Sequence, residues 1–140
     1  MPLKFELLIS SKASFAGSTA TPGSKNVLRI ALATADVFVL PSYREGFGSA
    51  IIEAAACGIP SIAYRIDGVI DAIVDGRTGL FVDKGDIQGL SDAMNRLGAE
   101  SSTRKILGDA AHLRAASEYS SATVCTAWLD FYSSVLRGKA

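Results

Sequence analysis

Val37-Phe38-Val39-Leu40 is an apolar run without a polar break, closed by Pro41-Ser42. A strand that is apolar at every position has no face to offer to water. It belongs in a parallel sheet covered on both sides, not in a half-exposed antiparallel one. The surrounding sequence repeats the unit. Asp36–Leu40, Pro60–Tyr64 and Gly79–Val82 read as strands, and Leu3–Ile9 as another with imperfect alternation. Ser10–Ser24 reads as loop, with room for a short strand at Phe15. Asn26 is placed to cap a helix carrying Val27, Leu28, Ile30, Ala31 and Ala35. A second helix is predicted from Phe47 to Ala56, stopped by Gly58, and a short one from Val69 to Val74 before the Asp75-Gly76 turn. Ile87, Leu90, Met94 and Leu97, then Ile106, Leu107, Ala110 and Leu113, fall at helical spacing. Strands alternating with helices predict an α/β fold, a Rossmann-like parallel sheet with helices on both faces. Such sheets bind ligands at the carboxyl ends of their strands.

Composition narrows the function. With 140 residues, 49% of them hydrophobic, the chain can bury a substantial core. Fourteen basic and fourteen acidic residues give zero net charge without a basic stripe, so no nucleic-acid partner is expected. The apolar runs are strand-length, far short of a membrane span, and the first residues lack the apolar core of a signal peptide. A cytoplasmic protein is expected, peripheral to the inner membrane at most through partners. Cys57 and Cys125 have neither metal nor redox spacing and read as buried small hydrophobes. His112, the sole histidine, reads as a surface residue, so no Ser-His-Asp set or zinc motif is available. There is no Asp-x-Asp, and no metal or other cofactor is expected.

The chemistry concentrates after Leu40. Arg44-Glu45-Gly46-Phe47-Gly48-Ser49-Ala50-Ile51-Ile52-Glu53 joins the buried strand to a helix through a glycine-bearing turn. A helix N-terminus at such a turn presents backbone N–H groups and positive dipole to an anion. Glu45 on the turn and Glu53 two helical turns on would be poor company for phosphate alone. They suit a ligand with phosphate in the middle and hydroxyl-rich groups at both ends, because carboxylates accept strongly from sugar hydroxyls. Glu53 stands among Ile51, Ile52, Ala54, Ala55 and Ala56, costly company for a carboxylate without partners. Arg44 offers a charge on the same turn. Asp67 and Gly68 follow the next strand, where a ligand-facing loop belongs. Asp75-Gly76 and Thr78-Gly79 read as structural turns.

The series Ala35-Asp36-Val37-Phe38-Val39-Leu40-Pro41-Ser42-Tyr43-Arg44-Glu45-Gly46-Phe47-Gly48, Ile51-Ile52-Glu53-Ala54-Ala55-Ala56-Cys57-Gly58-Ile59-Pro60, Asp67-Gly68 and Asp75-Gly76-Arg77-Thr78-Gly79-Leu80-Phe81-Val82 closely resembles the donor-binding half of glycosyltransferase family 4, of GT-B fold. The resemblance fades over the last forty or so residues. It implies most of a second GT-B domain, with residues 1–25 poorly matched and 26–140 forming a donor-binding unit. It implies a UDP- or GDP-sugar as donor and a sugar or lipid-linked acceptor, with retention of anomeric configuration. By resemblance, Glu45 approaches the transferred sugar as the catalytic carboxylate and Glu53 binds the ribose hydroxyls. Gly46, Phe47, Gly48, Ser49 and Ala50 meet the sugar and diphosphate, with Asp67 and Gly68 nearby; Ser49 replaces an aliphatic residue of many members. The family's Gly-rich turn with its Arg and Lys has no counterpart before Asn26. The chain alone is therefore expected to turn over weakly or not at all. A non-catalytic nucleotide-sugar-binding or interaction module descended from the family is the alternative reading.

Val124, Ala127, Trp128, Phe131, Tyr132, Val135 and Leu136 form a final stripe at steps of three and four. It is expected to mediate self-association or to bind an acceptor-domain partner.

Overall fold

The computed structural model describes residues 5–7, 32 and 34–138. Four strands form one parallel sheet: β1 (Phe5–Leu7), β2 (Val37–Leu40), β3 (Ser61–Tyr64) and β4 (Gly79–Val82), in that spatial order. The registers pair Phe5 with Val37, Phe38 with Ser61, and Ser61 with Gly79. Four helices with described bounds accompany them: α1 (Ser49–Ala56), α2 (Ile87–Ala99), α3 (Ser101–Glu118) and α4 (Ser121–Leu136). The α/β, Rossmann-like expectation holds. The predicted Ser10–Ser24 loop, the strand at Phe15 and the Asn26 cap lie outside the described residues, although Leu32 and Thr34 are helical.

Every residue of β2 and β3 is buried, as unbroken apolar strands require. Their alternating side chains divide the core in two. Phe38, Leu40 and Ala63 pack with Leu32, Ile51, Ala54, Val69 and Ile73 on the α1 side. Val37, Val39, Ile62 and Tyr64 pack with Val82, Leu97 and Leu107 on the α2 side. The long helix α3 adds Leu107 to the second core, while its Ala111 and Ala115 form a separate small cluster with Ala55 of α1. His112 is exposed, as expected, yet has a structural task. Its Nδ1–H donates to the Ala56 carbonyl at 2.8 Å, satisfying a group that the end of α1 leaves unpaired.

Three expectations need correction. Residues 69–74 are not a helix but a pair of successive turns, held by Val69 N–H to Ile66 and Ala72 N–H to Val69, both at 3.0 Å. Six residues cannot repay helix nucleation. Thr78 Oγ1 instead takes the Val74 N–H at 2.8 Å. Cys57 and Cys125 are exposed, not buried. Cys57 lies past the last buried position of α1, and Cys125 is on α4, which buries no residue. Nor does Glu53 sit in apolar company: it faces solvent, because Ile51, Ala54 and Ala55 alone form the buried stripe.

The outer edge of β4 is closed by its own approach segment. Gly76 N–H donates to the Gly79 carbonyl at 2.9 Å, and Phe81 N–H to Asp75 Oδ1 at 2.9 Å. Arg65, lying over the Phe81 ring at 4.7 Å, holds the other oxygen of that carboxylate. Asp75-Gly76 and Thr78 are thus structural, as their sequence suggested. Among the described residues no helix is long and apolar enough to cross a membrane.

Candidate functional site

The carboxyl ends of β2, β3 and β4 open into three loops: Pro41–Gly48, Arg65–Gly68 and Asp83–Asp86. The first two interlock. A Cβ on Gly68 would stand 1.9 Å from the Glu45 carbonyl oxygen, so the β3 loop lies directly on the backbone of Glu45. One residue on, Val69 lies against Gly48, whose own added Cβ would come within 2.9 Å of Val69 Cγ1. Glycine at 68 and 48 is what permits this contact. Two segments twenty residues apart in sequence therefore form one rigid rim. Ser42, buried below it, donates to the Arg44 carbonyl at 3.2 Å and tightens the turn.

Gly48 also decides where α1 begins. Its backbone is left-handed (φ 70°), which ends any helix at that point, so α1 starts at Ser49 and not at the predicted Phe47. No side chain caps α1 and no acidic residue lies in its first turn. Ile51 N–H donates to the Gly48 carbonyl at 2.8 Å, which leaves the Ser49 and Ala50 N–H groups without a partner among the described residues. Glu45 is half-buried on the rim, and Gly46, Phe47 and Asp67 are exposed around it. Ser49 and Ala50 open the helix, and Glu53 is exposed on its surface one turn further on. Neither Glu45, Glu53 nor Asp67 has a side-chain hydrogen bond or ion pair among the described residues. The predicted set is thus gathered at one sheet end, with its carboxylates uncommitted.

Three residues that sequence reasoning passed over shape this edge. Tyr43 meets the buried Tyr64 edge-on at 5.6 Å, and Lys84 lies over the Tyr43 ring, 5.4 Å from its centroid. Lys84 brings a cation from the third loop toward the first. Its signal was its place directly after a strand, the argument already applied to Asp67. The third is Tyr119, at the end of α3. Its ring touches Phe47 at 5.8 Å, and its hydroxyl donates to the Asp71 carbonyl at 2.9 Å. Nothing local in the sequence could join positions so distant. Burial pushes the Tyr64 hydroxyl above the usual tyrosine range, with Tyr43 and Asp86 adding to the rise. Burial likewise raises Tyr119, opposed by the Arg114 guanidinium and reinforced by Glu118 and Asp71. Among the described residues no group of His, Cys, Asp and Glu could hold a metal ion.

An uncapped helix start, an interlocked glycine rim and free carboxylates at the carboxyl ends of a parallel sheet can hold an anion beside hydroxyl groups. Known proteins resemble the chain in sequence and fold. The chain matches the family described as Glycosyl transferases group 1 over residues 6–114. It is 34% identical over 102 residues to the capsular polysaccharide biosynthesis glycosyltransferase CapM of Staphylococcus aureus, covering 73% of this chain and 27% of CapM. Among solved structures it resembles sucrose-phosphate synthase from Thermosynechococcus elongatus, with a TM-score of 0.74 and 29% identity over 80% of this chain and 28% of that one. Anabaena HepE, solved in complex with UDP, shares the fold at a TM-score of 0.70 and 23% identity, over 74% of this chain and 29% of HepE. The chain thus spans between a quarter and a third of the length of these relatives. With most of its residues matched and the expected sheet in place, the chain belongs to the group 1 glycosyl transferases, a GT-B family.

Proposed function

We propose that residues 26–140 bind a nucleotide-diphosphate sugar at the carboxyl ends of β2 and β3, as the donor-side unit of a retaining glycosyltransferase. The observation that carries the reading is the uncapped start of α1 beside the rim in which Gly68 lies on Glu45. The diphosphate would meet the N–H groups at Ser49 and Ala50, with Gly46, Phe47 and Gly48 lining the sugar side. Glu53 would accept from the ribose hydroxyls. The capture of UDP by HepE, which shares this fold, supports a uridine nucleotide as the first to test.

In the transfer itself, the bond between the anomeric carbon and the diphosphate oxygen breaks. An acceptor hydroxyl forms its bond on the same face, and its proton passes to the departing diphosphate. Glu45 orients the sugar and stabilises positive character at the anomeric carbon. Arg44 stands beside Glu45 in the chain and Lys84 lies over the Tyr43 ring, and both are exposed. Charge on the leaving group is ordinarily a large part of catalysis, and one missing donor costs roughly a hundred- to a thousandfold. Turnover by this chain alone is accordingly slow, and an acceptor-side partner restores it.

Titration calorimetry with UDP- and GDP-sugars tests the reading. Binding is expected, and Glu53→Ala weakens it by about 1–3 kcal/mol as ribose hydroxyls lose their acceptor. Absence of heat at millimolar ligand ends the donor-site reading. Trapping a covalent glycosyl–Glu45 adduct in a reconstituted enzyme would end the mechanism while leaving binding intact.

The acceptor, a sugar or lipid-linked molecule, would enter with a partner that covers α4. This helix buries no residue, and Trp128, Phe131 and Tyr132 are each more than half exposed while packed on one another at 5.6–6.1 Å. An open groove of about 420 Å³ runs beside them, lined by Glu118, Thr123, Val124, Ala127, Trp128 and Phe131. Exposed apolar surface on this scale marks contact with another protein, either an acceptor-binding domain or a second copy.

A further inference from the structure

A small cavity of about 10 Å³ lies among α1, β3 and α3. Its wall is mostly apolar: Ile51, Ile52, Ala55, Ala72, Ala111 and Ala115. Four polar side chains also line it: Ser61 from β3, Thr78 just before β4, Arg114 from α3, and Tyr119. Ser61 is 1% exposed, and its hydroxyl has no hydrogen-bond partner among the described residues. Arg114 spends its guanidinium in only two directions. Its Nε donates to Glu118 at 2.8 Å, and one terminal nitrogen donates to the Asp71 carbonyl at 2.8 Å and to the Tyr119 hydroxyl at 3.0 Å. The other terminal nitrogen, Nη1, is buried and unpaired. Thr78 Oγ1 accepts from Val74 N–H at 2.8 Å and keeps a second lone pair.

Leaving a hydroxyl and a face of a guanidinium dry in one cavity is costly, the charged group most of all. The volume is that of a single water, and a buried water ordinarily makes about three hydrogen bonds. We infer that this cavity is a binding site for one internal water molecule, which accepts from Arg114 Nη1–H and donates to Ser61 Oγ and Thr78 Oγ1. The Arg114 guanidinium, the Ser61 hydroxyl and Thr78 Oγ1 each then gain a partner. The site joins β3 to α3 through the guanidinium that holds Asp71, so it fixes the turns next to the glycine rim without touching any ligand. It does not rest on the glycosyltransferase reading.

The test is a count of long-lived internal waters in the full chain by oxygen-17 relaxation dispersion, with water-to-amide cross-relaxation at Ala72 and Ala111. One such water is expected there, and its absence overturns the inference. Ser61→Val offers a second test by sign. Its extra methyl fills the cavity, so a dry cavity predicts a higher Tm. A hydrated one predicts loss of that water and a lower Tm, because Arg114 is left bare. Combining Ser61→Val with Arg114→Met separates this from mere crowding: relative to Arg114→Met alone, Ser61→Val then no longer lowers Tm. Persistence of the full loss would assign it to overpacking and count against the water.

Discussion

Helices α1 and α4 are chemically alike and structurally opposite. Both are rich in apolar residues, and each contains a single charged residue, Glu53 in one and Asp130 in the other. Yet α1 buries Ile51, Ala54 and Ala55, while α4 buries nothing. The difference lies in what precedes and follows each. Helix α1 connects two parallel strands that are neighbours in the sheet, and that connection can close only by laying the helix on the sheet. Helix α4 follows α3, joined through Ser120, which caps it by accepting from Thr123 N–H at 3.1 Å. No strand of the described sheet comes after it. Apolarity supplies the demand for burial; topology decides whether the chain meets it from within.

Truncation should expose this contrast most sharply. Ile51→Ala removes a fully buried side chain from the first core and is expected to cost about 2–5 kcal/mol. Leu129→Ala on α4 should change stability by less than about 0.5 kcal/mol. Comparable losses in urea melts would mean that α4 is packed after all. Next in size comes the rim to which α1 is attached. Gly68→Ala forces a methyl into the Glu45 carbonyl and should cost about 1–3 kcal/mol; an unchanged midpoint would show that the two loops are not locked together. On the α4 side the corresponding experiment reads association, not stability. Trp128→Ser with Phe131→Ser should leave the melting curve nearly unchanged but reduce self-association or partner binding in sedimentation. A wild-type chain that stays a clean monomer, and binds no acceptor-side partner, removes α4 as an interface.

The smallest effect is alkaline. A tyrosine raised by burial keeps its proton in the folded state after the unfolded chain has lost it, so stability holds below pH 10.0 and falls as pH rises above it. Tyr64→Phe should make that fall shallower, leaving the part due to Tyr119. An identical slope would place Tyr64 in water.

The same contrast explains what was legible in the sequence. Unbroken apolar tetrapeptides such as Val37–Leu40 announce both strand and burial, because a strand covered on both faces leaves no alternative. The positions of Glu45, Gly48 and Gly68 were legible as well, since their place at strand ends follows from chain order. Cys57, Cys125 and Glu53 were misjudged by one common error: a neighbour's apolarity was read as burial, when a helix buries only one stripe. The turns at 69–74 escaped because Thr78 competes for the backbone there. Contacts such as Phe47 with Tyr119 depend on how α3 runs across α1, which no local pattern encodes.

The closed edge of β4 bears on how such a chain could fail. Exposed strand edges are where copies of a protein add to one another by backbone hydrogen bonding. Here Asp75, held by Arg65, occupies the Phe81 N–H, and Gly76 occupies the Gly79 carbonyl. An intruding strand would first have to evict a carboxylate and break an ion pair. Strand addition along this stretch of edge is therefore blocked by the chain's own groups. Loss of the Asp75 carboxylate would free the Phe81 N–H and open the route to growth by strand addition.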